Sequence, residues 1–133
     1  MKKQFLLFIV VSCLFSSAYS LESTNAGSGS IVNTWIWEKS TGGTSNPYTA
    51  TPKTIGFSKK VVFTSNGRVI TYKNDVEIRN SKYQVEKGTG FFDKSQHDLI
   101  TFEGKTYVIE NLDNQNLTIV SNNEDAARTI FKR

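Results

Sequence analysis

The chain has 133 residues, with 16 lysines and arginines against 12 acids for a net charge of +4, one histidine and one cysteine. That length is usual for a single domain. The basic residues are scattered among acids, which argues against the clustered basic stripe that a nucleic-acid surface needs, and a lone cysteine cannot form an internal disulfide.

Taken in chain order, the first segment (1–20) reads as a secretory signal peptide. Lys2 and Lys3 precede the apolar run FLLFIVV, and Ala18-Tyr19-Ser20 sets small residues at both recognition positions of a cleavage site. The apolar run is too short for a permanent anchor, which needs roughly 20 apolar residues, so no transmembrane segment is expected. The expected destination is extracytoplasmic, periplasmic or secreted. Val10-Val11-Ser12-Cys13 resembles the lipobox of bacterial lipoproteins, in which Cys13 would become an acylated outer-membrane anchor. Leu14-Phe15 prolong the apolar segment toward Ser20, and cleavage after Ser20 is the favoured reading. Loss of Lys2 and Lys3 then lowers the net charge from +4 to +2 and leaves no cysteine. Stability must come from one apolar core.

Residues 21–30 (LESTNAGSGS) hold too little apolar surface to offset the entropy of ordering them, and are expected to form a flexible leader. The domain follows, over residues 31–133. Short apolar runs at regular spacing predict eight strands, at 31–39, 57–64, 68–73, 76–86, 99–102, 106–111, 117–121 and 127–132. No segment holds a helical period over three turns. The turn-forming stretches Ser65-Asn66-Gly67-Arg68, Lys73-Asn74-Asp75-Val76, Phe102-Glu103-Gly104-Lys105 and Leu112-Asp113-Asn114-Gln115 fall between strands, and Asn-Gly supplies the positive φ of tight hairpins. Consecutive strands joined so closely are antiparallel neighbours. The fold class is therefore all-β: one antiparallel eight-stranded meander that closes on itself into an up-and-down barrel, because closure removes its two edges.

Alternation assigns the interior to Phe57, Val61 and Phe63, Ile70 with Tyr72, Tyr83 with Val85, Ile100 with Phe102, Tyr107 with Ile109, Leu117 with Ile119, and Thr129 with Phe131. The parity slips across Arg79-Asn80-Ser81-Lys82, which predicts a β-bulge in the fourth strand. Trp35 and Trp37, two residues apart on the first strand, face the same way. Trp35 is read as the structural plug of the barrel, and Trp37, nearer the mouth, as a ligand contact.

Function is expected in two long loops. Residues 41–55 carry Tyr48, and residues 88–98 carry Phe91-Phe92; if both loops flank one mouth, Trp37, Tyr48, Phe91 and Phe92 form an aromatic rim for an apolar ligand. The alternative for Phe91-Phe92 is a lid packed into the barrel end, or a short strand. Catalytic arrangements are thin. His97 is the single histidine, in the polar context Lys94-Ser95-Gln96-His97-Asp98 that reads as a solvated loop, so a two-histidine metal site or a Ser-His-Asp triad has little to build on. Gly88-Thr89-Gly90 is followed by Phe91-Phe92 rather than by a helix, unlike a phosphate cradle. No enzyme activity, cofactor or metal is expected.

The stretches "IVNTWIWEKSTGG", "TPKTIGFSKKVVFTSNGRVITYKND", "KYQVEKG", "KTYVIENLDNQNLTIVSNN" and "RTIFKR" together resemble the small bacterial lipocalin-like proteins, secreted or lipid-anchored, over nearly the whole mature chain. The more specific part is the early tryptophan followed by the hairpin Phe63-Thr64-Ser65-Asn66-Gly67. The resemblance implies a lipocalin-like barrel, expected to be a monomer, that binds a small hydrophobic or amphipathic molecule. It also implies a basic residue from the last strand packed across Trp35; Arg128, Lys132 and Arg133 are the candidates and Arg133 the choice. Asn33 stands where the wider group has a glycine. The rival expectation is an inhibitor of a secreted protease, since barrel-type inhibitors of similar size insert a free N-terminal segment, here 21–24, into the protease cleft.

Overall fold

The computed structural model describes residues 30–133 except residue 45. The expected signal segment with Cys13, and residues 21–29 of the leader, lie outside the described residues. Nine strands follow in order: β1 (Thr34–Thr41), β2 (Thr49–Ala50), β3 (Lys59–Phe63), β4 (Arg68–Lys73), β5 (Val76–Thr89), β6 (Gln96–Phe102), β7 (Lys105–Leu112), β8 (Asn116–Ser121) and β9 (Arg128–Lys132). A single helical turn, α1 (Pro52–Ile55), lies between β2 and β3. Every pairing is antiparallel, and β9 returns to pair with β1 from Ile36↔Lys132 to Thr41↔Arg128. The chain is thus an eight-stranded up-and-down barrel, with the two-residue β2 as an extra strand on β1.

Local chemistry explains the connections. Asn74 (φ 50°) and Asp75 (φ 66°), and Glu103 (φ 54°) and Gly104 (φ 78°), make two-residue hairpins with positive φ at both positions, the geometry whose twist matches the flanking strands. At Asn66-Gly67 only Gly67 is left-handed, so this connection is a longer turn closed by Thr64 N–H donating to the Arg68 carbonyl at 2.8 Å. Asp113 caps its own turn, its Oδ1 accepting the Gln115 and Asn116 amides at 2.8 Å each. The helical turn escaped the strand reading because it is held by caps instead of an apolar period. Thr51 and Thr54 bond reciprocally in a capping box, Pro52 opens it, and Gly56 (φ 85°) ends it.

The interior is filled. Trp35, Val69, Ile100 and Leu117 are fully buried and Phe63 nearly so. The Phe63 ring meets Tyr83 edge-on at 4.9 Å and Phe102 at 5.7 Å, and the Tyr83 hydroxyl donates to the Thr64 carbonyl at 2.9 Å, sealing the end at the β3–β4 turn. Trp35 lies at the same end, its indole N–H donating to the Ile31 carbonyl at 2.9 Å. β3 runs from Lys59 at the opposite, open end to Phe63 at this closed one.

Three expectations about the interior are corrected, and one of them is Val85, which is exposed on β5 while Tyr83 packs against the core. On β4 the buried residues are Val69 and Thr71, whereas Ile70 and Tyr72 face outward, because Phe63 pairs with Val69 and Val61 with Thr71 and cross-strand partners share a face. Phe57 precedes β3 and packs under the Lys73 ammonium at 4.5 Å. The bulge in β5 is present but sits at Ile78, where the pairing steps from Thr71↔Arg79 to Tyr72↔Glu77.

Trp35→Ala removes a ring that buries about 150–250 Å² and should cost about 3–5 kcal/mol of stability. Urea unfolding measures it, and a loss below about 1 kcal/mol would mean the ring is not the plug.

Candidate ligand pocket

The two loops singled out from the sequence do converge. Gly42, Gly43 and Thr44 after β1, and Gly90 to Asp93 between β5 and β6, line one open pocket of about 530 Å³. β1 and β5 both run further than the sequence suggests, and β6 begins at Gln96 rather than at Leu99, so the β5–β6 connection is a tight tip and not a long loop. Gly90 N–H donates to the Ser95 carbonyl at 2.8 Å, and Lys94 N–H returns to the Gly90 carbonyl at 3.1 Å. The tip is tied to the β8–β9 turn through Asn122, whose Oδ1 accepts the Phe91 amide at 2.7 Å and whose Nδ2 donates to the Thr89 carbonyl at 3.1 Å. On the other side Gly43 passes so close to the Asp125 carbonyl that a Cβ there would overlap it, which is why glycine stands at this crossing.

The pocket combines an aromatic wall with one ion pair and one carboxylate–imidazole hydrogen bond. Phe91 and Phe92 are exposed (42% and 59%) and meet edge-to-face at 5.1 Å, with the Lys94 ammonium 4.9 Å over Phe91. Val108, Ile109 and Val120 supply the remaining apolar surface. Arg128 donates Nε and Nη2 to the two carboxylate oxygens of Glu110 at 2.7 Å each, a fork that holds the Glu110 carboxyl below its ordinary range. His97 Nε2 lies 2.8 Å from Asp93 Oδ2. The Ser95 amide donating to Asp93, and then the His97 bond, bring the Asp93 pKa down to about 2.

The residues expected to form the rim separate. Phe91 and Phe92 line the pocket. Trp37 does not: it is buried in the core, its indole N–H donating to Ser40 Oγ at 2.9 Å. Tyr48 is half-exposed and packs against Gly42, outside the pocket lining. Trp35 is fully buried, but no last-strand cation crosses it. Arg133 donates to the Asn114 carbonyl at 3.1 Å, Arg128 is held by Glu110, and Lys132 lies 3.5 Å from Glu38. The cation over a tryptophan is Lys59, 5.6 Å from the Trp37 ring. His97 opens β6 half-buried and paired to Asp93, and Asp98 beside it is buried against Lys87 at 2.8 Å, so this stretch is strand rather than solvated loop.

Sequence reasoning missed Asn122 and Glu110, and considered Arg128 only as a cation across Trp35. Their convergence depends on strand register, which no local sequence pattern reveals. Among the described residues no group of three or more metal-binding side chains occurs, and no helix is long and apolar enough to cross a membrane.

Asp93 is a carboxylate with a depressed pKa, so what it contributes to the tip is complete above the ordinary value of 3.8 and is lost as pH falls through about 2. Carboxyl ¹³C NMR should give a midpoint near 2, with the amides of Phe91 to Ser95 shifting together. A midpoint at the ordinary value would contradict the bonding described. No protein-family model, curated protein or solved structure matches the chain.

Proposed function

We propose that the chain is an exported, non-catalytic, lipocalin-like binding protein that takes a small hydrophobic or amphipathic molecule between the β5–β6 tip and the loop after β1. The observation that carries this reading is the exposed Phe91–Phe92 pair on the wall of an open pocket of about 530 Å³. Two adjacent solvent-exposed phenylalanines are unfavourable unless something covers them, and the volume lies within the roughly 300–1,000 Å³ of small-molecule sites. The Glu110–Arg128 fork and the Asp93–His97 pair supply polar edges that would orient an amphipathic guest.

A second reading keeps the protein as an inhibitor of a secreted protease. The filled interior favours it, since a rigid barrel suits a molecule that works by surface contact. Its contact segment 21–24 lies outside the described residues.

Titration with Nile red, a neutral solvatochromic dye, tests the pocket. Saturable binding with a blue-shifted emission is expected, and Phe91→Ser and Phe92→Ser should each weaken it at least about tenfold, because each removes a large apolar contact. Dye affinity in both variants equal to that of the unaltered protein would rule the pocket out. Deleting residues 21–30 should leave dye affinity unchanged; loss of a protease-inhibitory activity on that deletion would establish the second reading.

A further inference from the structure

The open end of the barrel holds a separate cavity of about 220 Å³ that shares no lining residue with the Phe91–Phe92 pocket. Its floor is apolar, formed by core residues such as Ile119 and Phe131, and Phe102 and Tyr107 stack at 5.2 Å along one wall. Its rim is cationic. Lys59, Arg79 and Lys105 face the cavity with one carboxylate, Glu103, which Arg79 engages at 3.1 Å. Among the described residues neither Lys59 nor Lys105 is paired with a carboxylate.

Lys59 is the unusual member. It is an inward position of β3, directly across from Lys73 on β4, and like charges opposite one another are destabilising. Burial, and then repulsion from Arg79, lower its pKa despite the attraction of Glu103. The Trp37 ring beneath it offers cation–π support at 5.6 Å, but no countercharge. A half-buried ammonium beside a guanidinium, above an aromatic and aliphatic floor, has the complementarity of an anion that carries a compact apolar body.

We propose that this mouth binds a small organic anion of about one ring, its carboxylate held between Lys59, Lys105 and the edge of Arg79, its body resting on Phe102 and Tyr107. The volume falls below the roughly 300 Å³ at which drug-sized sites begin, which limits the guest to that size. The inference does not depend on the function proposed for the other pocket.

Benzoate and its neutral isostere benzamide test it, by calorimetry and aromatic NMR at fixed ionic strength. Benzoate should bind saturably and move the Phe102 and Tyr107 ring resonances, while benzamide does neither. Lys59→Met keeps the aliphatic stem, and Lys105→Met changes an exposed side chain whose loss the fold tolerates; each should weaken benzoate about tenfold. Phe91→Ser should leave it unchanged, which separates this site from the other pocket. Equal binding of benzamide, unaltered benzoate affinity in Lys105→Met, or resonance shifts centred on Phe91 and Phe92 would overturn the proposal.

Discussion

The pairing of β9 with β1 is the constraint on which the rest of the molecule depends. Without it β9 would be an open edge and the inner faces of β1 and β8 would lie against water. With it, the Trp37↔Phe131 and Leu117↔Phe131 pairs lock three strands around one point of the core. A chain of this size, with no disulfide among its described residues, must draw its stability from that enclosed apolar volume. The indoles of Trp35 and Trp37 fill it while their N–H groups find the Ile31 carbonyl and the Ser40 hydroxyl. The two largest core side chains are therefore buried without leaving an orphaned donor.

Filling the interior has a functional consequence. A barrel of eight strands can hold either side chains or one small ligand, and here side chains occupy it from Trp35 up to Phe131. Among the described residues two spaces for a guest stand out, one outside the wall and one in the open mouth. One site is the pocket under the β5–β6 tip, where Asn122 fastens the tip to the β8–β9 turn and Phe91 and Phe92 stay exposed. The other is the cationic mouth above Phe102 and Tyr107. The first presents aromatic surface to apolar matter and the second presents positive charge, so they suit different guests.

Much of the barrel was legible because turns and alternation are local properties. Asn74-Asp75 and Glu103-Gly104 mark their hairpins directly, and six of the eight barrel strands carry a parity that the apolar residues reveal, β5 being an exception because Val76, Ile78 and Val85 are exposed. β4 misleads since Val69, Ile70, Thr71 and Tyr72 place β-favouring side chains on both faces, and only its register with β3 decides between them. The ligand-pocket residues divide for a similar reason. Phe91-Phe92 could be read as exposed from the flanking glycines and charges, whereas the burial of Trp37 follows from its pairing with Phe131, a contact between strands at opposite ends of the chain. Lys59 shares the inward parity of Val61 and Phe63, yet its charge argued for the surface, and so the cationic mouth stayed hidden.

The central claim is that the barrel is packed solid around Trp35, with the proposed binding confined to the outer pocket and the open mouth. Methyl NMR under xenon pressure addresses it most directly, because a dry apolar cavity takes up xenon and a filled core does not. The methyls of Val69, Ile100 and Leu117 should keep their shifts as pressure rises. Saturable shifts at those three residues would reveal a hollow barrel and contradict the account.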